Sequence, residues 1–288
     1  MSIIESVLLG ILQGLTEFLP VSSSGQLVLA EHFFDLQLDE GLMKSFDVFL
    51  HAGTLLALFI LFWRDIWKML VFLYKAALKK ELKEEDKYSG TLLALLVVAT
   101  IPAVVFALLF EDLIEGARMP LIVAFLLGFT ATIFLLAERF PKGKSKTIVD
   151  IKVALMMGFF QILGVFPGIS RSGMTISGGL FQGVSREVAA RFSFMMAMPI
   201  ILGASILSAI RIIQDGMGDL SIGLIVSGFM ASFVVSFIVA KFLLAMFKKI
   251  SLSFFSIFLF IESALLIYFS GGVNLGVGKK VILIFGRF

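Results

Sequence analysis

The sequence predicts an all-α polytopic membrane protein built as an inverted-topology repeat, each half a re-entrant helix hairpin followed by three transmembrane helices. Three observations predict it. Hydrophobic residues make up 59% of the 288 residues and charged residues only 16%, against roughly half and a quarter in an ordinary soluble domain. Apolar runs long enough to cross a ~30 Å hydrocarbon core recur along the chain, without the ~10-residue alternation of barrel strands. Finally, two Gly- and Ser-rich breaks, PVSSSG at 20–25 and PGISRSG at 167–173, interrupt apolar stretches that match each other. The whole of 1–288 is therefore one integral membrane domain, with repeat 1 at about 1–140, repeat 2 at about 150–270 and a short tail at 271–288.

The apolar runs lie near 46–63, 91–110, 119–138, 192–210, 222–246 and 252–270, and the loops between them alternate in charge. Residues 64–87 carry Arg64, Lys68, Lys75, Lys79, Lys80, Lys83 and Lys87; residues 139–152 carry five more basic side chains, and 245–251 carry Lys248 and Lys249. The 111–118 loop sets Arg118 against Glu111, Asp112 and Glu115, and the 211–220 loop sets Arg211 against Asp215 and Asp219. The positive-inside rule puts the basic loops in the cytoplasm and the acidic ones outside. It also accounts for the net charge of +3 without a nucleic-acid partner.

Two stretches, 1–45 and 152–191, then have to enter and leave by one face. Span 46–63 starts outside, as the acidic 31–45 connector (Glu31, Asp35, Asp39, Glu40) suits, and span 192–210 starts inside, as Arg186 and Arg191 suit. Each stretch is broken midway, so each reads as a hairpin of half-helices. At a fixed offset, Gly10, Gln13, Leu15, Phe18, Ser22, Ser24 and Gly25 equal Gly158, Gln161, Leu163, Phe166, Ser170, Ser172 and Gly173. Three spans follow each hairpin, an odd number, so the halves are oppositely oriented and a site is expected where the broken helices meet. The alternative is a plain bundle with two Gly/Ser kinks.

The chemistry sits at the breaks. Gln13 and Glu17, four apart, share a helix face that Pro20 ends, and Ser22, Ser23 and Ser24 follow at the reversal. A carboxylate inside hydrocarbon is costly enough to mark a site; the alternative is a helix-end Glu17 reaching water. In the second break Arg171 lies between Ser170 and Ser172 at the start of a half-helix. Its planar fork suits a phosphate, and helix N–H groups add to it. If the tips meet, Arg171 faces Gln13, Glu17 and the serines: a place for a phosphate and, through Gln13 and Glu17 oxygens, for Mg²⁺ or Ca²⁺. A structural Glu17–Arg171 ion pair is the alternative. The absence of Cys and the presence of only His32 and His51 exclude thiol chemistry and multi-histidine metal sites.

EFLPVSSSG with Gln13 before it, PGISRSGMTISGG, FWRDIW at 62–67 and GVSRE at 183–187 resemble the undecaprenyl-diphosphate phosphatase family, the bacitracin-resistance proteins. The resemblance implies a multi-pass enzyme of the cell (inner) membrane. It would remove one phosphate from undecaprenyl diphosphate, recycling the lipid carrier for cell-wall synthesis; by the loop charges the first hairpin, and with it the active site, opens to the external or periplasmic face. It maps the family's acidic motif onto Gln13 and Glu17, its functional serine onto Ser23, its Ser-Arg pair onto Ser170 and Arg171, and its threonine onto Thr175. Ser22, Ser24, Ser172 and Gln26 complete the expected phosphate contacts. Many relatives carry His where this chain has Gln26; His51, in FLHAGT, is the residue expected to serve the site instead, the alternative being a histidine satisfied within the bundle. Attack by Ser23 with Glu17 as base, and attack by water activated by Glu17, both stay open. The expected partners are the polyprenyl diphosphate and the surrounding lipids, with a homodimer left open. The rival function is a polyprenyl-phosphate flippase or anion transporter, since inverted repeats are common in transporters. Lys241 is the expected partner of Glu262.

Overall fold

Each apolar run becomes a helix because a chain in hydrocarbon must satisfy its backbone groups within itself. The computed structural model describes residues 1–34, 36, 40–139, 145–215, 220–247 and 249–273, and these form helices with one isolated bridge between Lys146 and Val184. In chain order the helices are α1 (Ile3–Thr16), α2 (Ser23–Phe33), α3 (Glu40–Leu61), α4 (Trp63–Ala77), α5 (Glu84–Leu109), α6 (Glu111–Gly116), α7 (Pro120–Arg139), α8 (Ile151–Leu163), α9 (Arg171–Phe181), α10 (Arg186–Asp215), α11 (Ile222–Met246) and α12 (Leu252–Val273). Among the described residues six helices, α3, α5, α7, α10, α11 and α12, are long and apolar enough to cross a membrane, and they match the six runs read from the sequence. Residues 274–288, most of the tail, lie outside the described residues, as do Asp35, Asp39, Asp219 and Lys248.

The two broken stretches are helix–turn–helix units of half length. At 1.5 Å per residue α1, with 14 residues, reaches about 21 Å, and α2 and α9, with 11 each, about 17 Å. Their bounds keep the register of the sequence match: Ile3 corresponds to Ile151 at the helix starts, and Ser23 and Phe33 correspond to Arg171 and Phe181. The matched glycines do the same job. A Cβ on Gly158 would lie 2.7 Å from the carbonyl oxygen of Ala99 in α5, and one on Gly10 would collide with the backbone of Gly228 in α11. Each first half-helix is thereby pressed backbone to backbone against one long span.

Charged side chains gather at the two ends of the bundle as the loop charges imply. At one end Arg186 holds Glu138 at 2.5 Å, Arg191 holds Asp65 at 2.8 Å and Lys75 holds Asp86 at 2.7 Å. At the other end Arg118 bridges Glu31 and Asp47, Lys44 meets Glu115, and Arg211 meets Glu111. The basic 64–87 stretch is more than a loop: α4 occupies its first part, with Trp63, Trp67, Leu70 and Tyr74 exposed along one stripe and Met69 buried. Glu262 takes its hydrogen bond from Gln26, at 2.7 Å, and not from Lys241 as expected.

Candidate active site

The two hairpin tips meet. Gly25 and Gly168 cross so closely that a Cβ on Gly25 would lie 2.8 Å from the Gly168 nitrogen, and the Gly168 N–H donates to Ser22 Oγ at 3.0 Å. Gly168 has φ +93°, a conformation glycine adopts without a Cβ penalty. Its carbonyl accepts from Thr130 in α7 at 3.2 Å. Ser22, a non-glycine at φ 65°, turns the first tip and caps α2 by accepting from the Gly25 N–H. Ser170 caps α9 in the corresponding way, accepting from Gly173.

Glu17 is the centre of this meeting and is 5% exposed. Its Oε1 accepts from Arg171 Nη2 at 2.5 Å; its Oε2 accepts from Gln13 Nε2 at 2.8 Å and from Ser23 Oγ at 2.7 Å. The His51 Nε2 stands 3.5 Å from Oε2, and its Nδ1 is 2.7 Å from the Asp47 carbonyl oxygen. Gln13, Glu17, Ser23, Arg171 and His51, chosen from separate parts of the sequence, thus form one cluster. An ion pair this deep needs its remaining valences filled, yet two are open: Arg171 Nη1 and Gln13 Oε1 are buried without a protein partner. One is a cationic donor and the other a neutral acceptor, so the site offers an anion one contact and a cation another.

The helix starts add donors. Ser23 and Ser24 open α2, Arg171 and Ser172 open α9, and the first N–H groups of a helix have no intrahelical acceptor. Both helix N-termini face the tip contact, which suits a phosphate. Ser23 and Ser24 are half-buried, while Ser22, Ser170 and Ser172 are buried at 2%, 1% and 2% exposure. Thr175 lies one turn into α9, where its hydroxyl is placed to donate to the Arg171 and Ser172 carbonyls and meets Ser193 Oγ of α10 at 2.6 Å. Ser193 was not foreseen: one hydroxyl inside an apolar span carries no local signature. The Phe18 and Phe194 rings, 4.9 Å apart, close the floor beside it. Gln26 turns away from Glu17, both amide hydrogens being engaged by Val21 O and Glu262 Oε1. His32 lies near the end of α2 and outside the cluster.

Gln13 and Glu17 fit a divalent cation in a limited sense. The orphaned Gln13 Oε1 and the Glu17 carboxylate are hard oxygen donors, but no group of three or more His, Cys, Asp or Glu among the described residues could hold a metal alone. Such a cation needs further oxygens from substrate phosphate or water, the usual habit of Mg²⁺. An apolar cleft of about 350 Å³ opens between α5 and α10, lined by Leu96, Val97, Thr100, Met195, Met198 and Pro199 among others.

Known proteins share this sequence over nearly its full length. The profile of the family described as bacitracin resistance protein BacA matches residues 6–265. The chain is similar to the undecaprenyl-diphosphatase of Rubrobacter xylanophilus, 40% identical over 269 residues that cover 92% of this chain and 97% of the relative. It is also similar to the undecaprenyl-diphosphatase of Alkaliphilus metalliredigens, 35% identical over 277 residues, 94% and 99% of the two chains.

Proposed function

The chain belongs to the BacA family of bacitracin resistance proteins, and from that premise we propose that its hairpin-tip site carries out the reaction its relatives are named for. It is an undecaprenyl-diphosphatase, a membrane phosphatase that converts undecaprenyl diphosphate to undecaprenyl phosphate and inorganic phosphate. The observation that carries the residue assignment is the 2.7 Å hydrogen bond from Ser23 Oγ to Glu17 Oε2, a nucleophile already donating to its base.

Arg171, through its free Nη1, and the N–H groups opening α2 and α9 hold the terminal phosphate. Ser170 and Ser172 shape the α9 start, Ser22 and Ser24 the α2 start, and Thr175 supports the Arg171 turn from below. Ser23 Oγ attacks the terminal phosphorus while its proton passes to Glu17. The bond from that phosphorus to the bridging oxygen breaks, and undecaprenyl phosphate leaves with the electron pair. It needs no general acid, because a phosphate with a second pKa near 6 leaves as a stable anion. Glu17 releases that proton to solvent; a water molecule then attacks the phosphoserine, gives its proton to Glu17, and Glu17 passes it to the departing Ser23 Oγ, so that inorganic phosphate leaves and the hydroxyl is restored. A divalent cation held by Gln13 and Glu17 would neutralise charge on the phosphate oxygens. His51 orients Glu17 from α3.

The matched half-helices and their matching packing against α5 and α11 support an inverted repeat with two re-entrant hairpins. On that reading α1 enters from the acidic, external side and α8 from the basic side. Each tip ends about 20 Å in, and the site opens outward from a bacterial inner membrane. A carrier that only bound phosphate would have no use for a serine hydroxyl on Glu17, which favours hydrolysis over transport.

The test is phosphate release from undecaprenyl or farnesyl diphosphate by the purified chain in detergent, with Mg²⁺, Ca²⁺ or chelator, followed by rapid acid quench to trap a phosphoserine. Ser23→Ala should abolish the trapped species and the turnover; turnover that persists at the full rate in Ser23→Ala would leave water as the nucleophile.

A further inference from the structure

Glu262 is an acid without an evident task. It sits near the middle of α12, in a run of Phe, Ile, Leu and Ser, and an ionisable side chain at that depth is expensive enough to need a reason. Among the described residues no salt bridge involves it, and its Oε2 is buried without a partner. Its Oε1 accepts from Gln26 Nε2 at 2.7 Å. α12 is itself fixed to α7, where Ser263 Oγ donates to the Ala124 carbonyl at 2.7 Å.

Gln26 connects this acid to the active hairpin. Its Nε2 also donates to the Val21 carbonyl at 3.3 Å, and its main-chain N–H donates to the Ser22 carbonyl at 2.9 Å. One residue therefore grips two consecutive carbonyls of the turn that delivers Ser23. That turn is under strain: Ser22 holds φ 65° and ψ 82°, and a non-glycine residue there persists only when its surroundings over-determine it. The side-chain bond to Val21 is long for an amide. Left alone, the Gln26 side chain has several rotamers, and Glu262 selects the one that reaches the turn.

We propose that Glu262 is a positioning residue for Ser23: by accepting from Gln26 it locks the Val21–Ser22 turn and so places the Ser23 hydroxyl on Glu17. The proposal rests on the reading of Ser23 as nucleophile. It requires an acceptor oxygen at position 262, not a charge, and it acts on the chemical step without touching the phosphate.

The experiment compares Glu262→Gln, Glu262→Leu, Gln26→Leu and the double variant in the full chain, using phosphate release from farnesyl diphosphate and thermal unfolding in detergent. Glu262→Leu should lower kcat about tenfold, the scale of one hydrogen bond, with KM within about twofold. Glu262→Gln should rescue the rate, since its amide oxygen accepts the same bond. Gln26→Leu should reproduce the defect, and the double variant should be no slower than either single one. An unimpaired Glu262→Leu, a Glu262→Gln as slow as Glu262→Leu, or multiplying defects in the double variant would each overturn the proposal. If Glu262→Leu does not fold, Gln26→Leu alone reads the brace through its kcat. Full activity in Ser23→Ala would overturn the nucleophile reading and the proposal together, whereas an inactive Ser23→Ala beside a fully active Glu262→Leu would overturn the proposal alone.

Discussion

Ser23 and Arg171 hold equivalent places in the two hairpins, each the first residue of the second half-helix, and both end on Glu17, at 2.7 and 2.5 Å. Matched backbone positions have taken opposite chemistry, a hydroxyl at one and a guanidinium at the other. The residue matched to Glu17 in the second half is Val165, so the pair of tips contains one carboxylate shared by both. Two hairpins of matched sequence, meeting tip to tip, form a single asymmetric site.

Glu17→Gln keeps the size and two-sided hydrogen bonding of the side chain but cannot take the Ser23 proton. We expect kcat to fall roughly 10²–10⁴-fold, the usual contribution of a positioned base, with the protein still folded. The check is steady-state phosphate release beside a thermal unfolding curve.

Arg171→Lys should lose about 10²-fold in kcat/KM, because an ammonium cannot contact Glu17 and present a second coplanar donor to phosphate as the guanidinium does. Arg171→Ala goes further and leaves Glu17 buried without its counter-charge, a loss of about 3–5 kcal/mol. Adding Glu17→Gln to Arg171→Ala should recover most of the unfolding temperature and none of the activity, a pattern that separates the structural from the catalytic share of the ion pair.

His51→Ala should lower kcat about tenfold, the scale of one hydrogen bond to a charged group, because the imidazole stands 3.5 Å from Glu17 Oε2. Adding Gln26→His to His51→Ala should not restore the rate, because position 26 faces Val21 and Glu262. Steady-state phosphate release by the two single variants and the double variant decides which position supplies the histidine function.

These expectations show where the sequence was readable. Apolar runs and loop charges carry the spans, since crossing hydrocarbon dictates length and composition locally. Glu17 and Arg171 stand out because charge is rare inside such runs. The charges of α4 read as a loop in the sequence, although Trp63, Trp67, Leu70 and Tyr74 recur at helical spacing. Ser193 and Glu262 needed the fold. What makes them matter is a contact with Thr175 in one case and with Gln26, 236 residues away, in the other, and no local pattern encodes a pairing across the bundle.

Gln13→Ala removes the orphaned Oε1 and one hydrogen bond to Glu17. If that oxygen helps hold the cation, the Mg²⁺ or Ca²⁺ concentration for half-maximal rate should rise about tenfold while the maximal rate falls less. Gln13→Glu supplies a charged oxygen at the same place and should move the half-saturating concentration down. Metal titrations of the three proteins, with a chelator-treated sample as baseline, measure this directly; equal titration curves would place the cation elsewhere.

The acidic end of the bundle gives a prediction about stability. Burial pushes the Glu31 carboxyl up to about 8, the neighbouring Asp47 adding to the shift and Arg118 opposing it. An acid whose folded-state pKa lies above its unfolded value near 4.5 binds more protons folded than unfolded between those two points. Unfolding free energy therefore falls as pH rises through that window, at up to about 1.4 kcal/mol per pH unit for one group. Below pH 4.5 the protonated group adds no further dependence, and above pH 8 the loss is complete. Glu31→Gln imitates the protonated form at every pH, so it should match the parent near pH 5 and unfold at a higher temperature near pH 9. Since Arg118 bonds both Glu31, at 3.1 Å, and Asp47, at 2.8 Å, the amide oxygen can keep the first contact while the second carries the charge. Unfolding curves for the two proteins at pH 5, 7 and 9 test this. Parallel pH dependence in parent and variant would mean that Arg118 neutralises both carboxylates, and that Glu31 is ionised throughout.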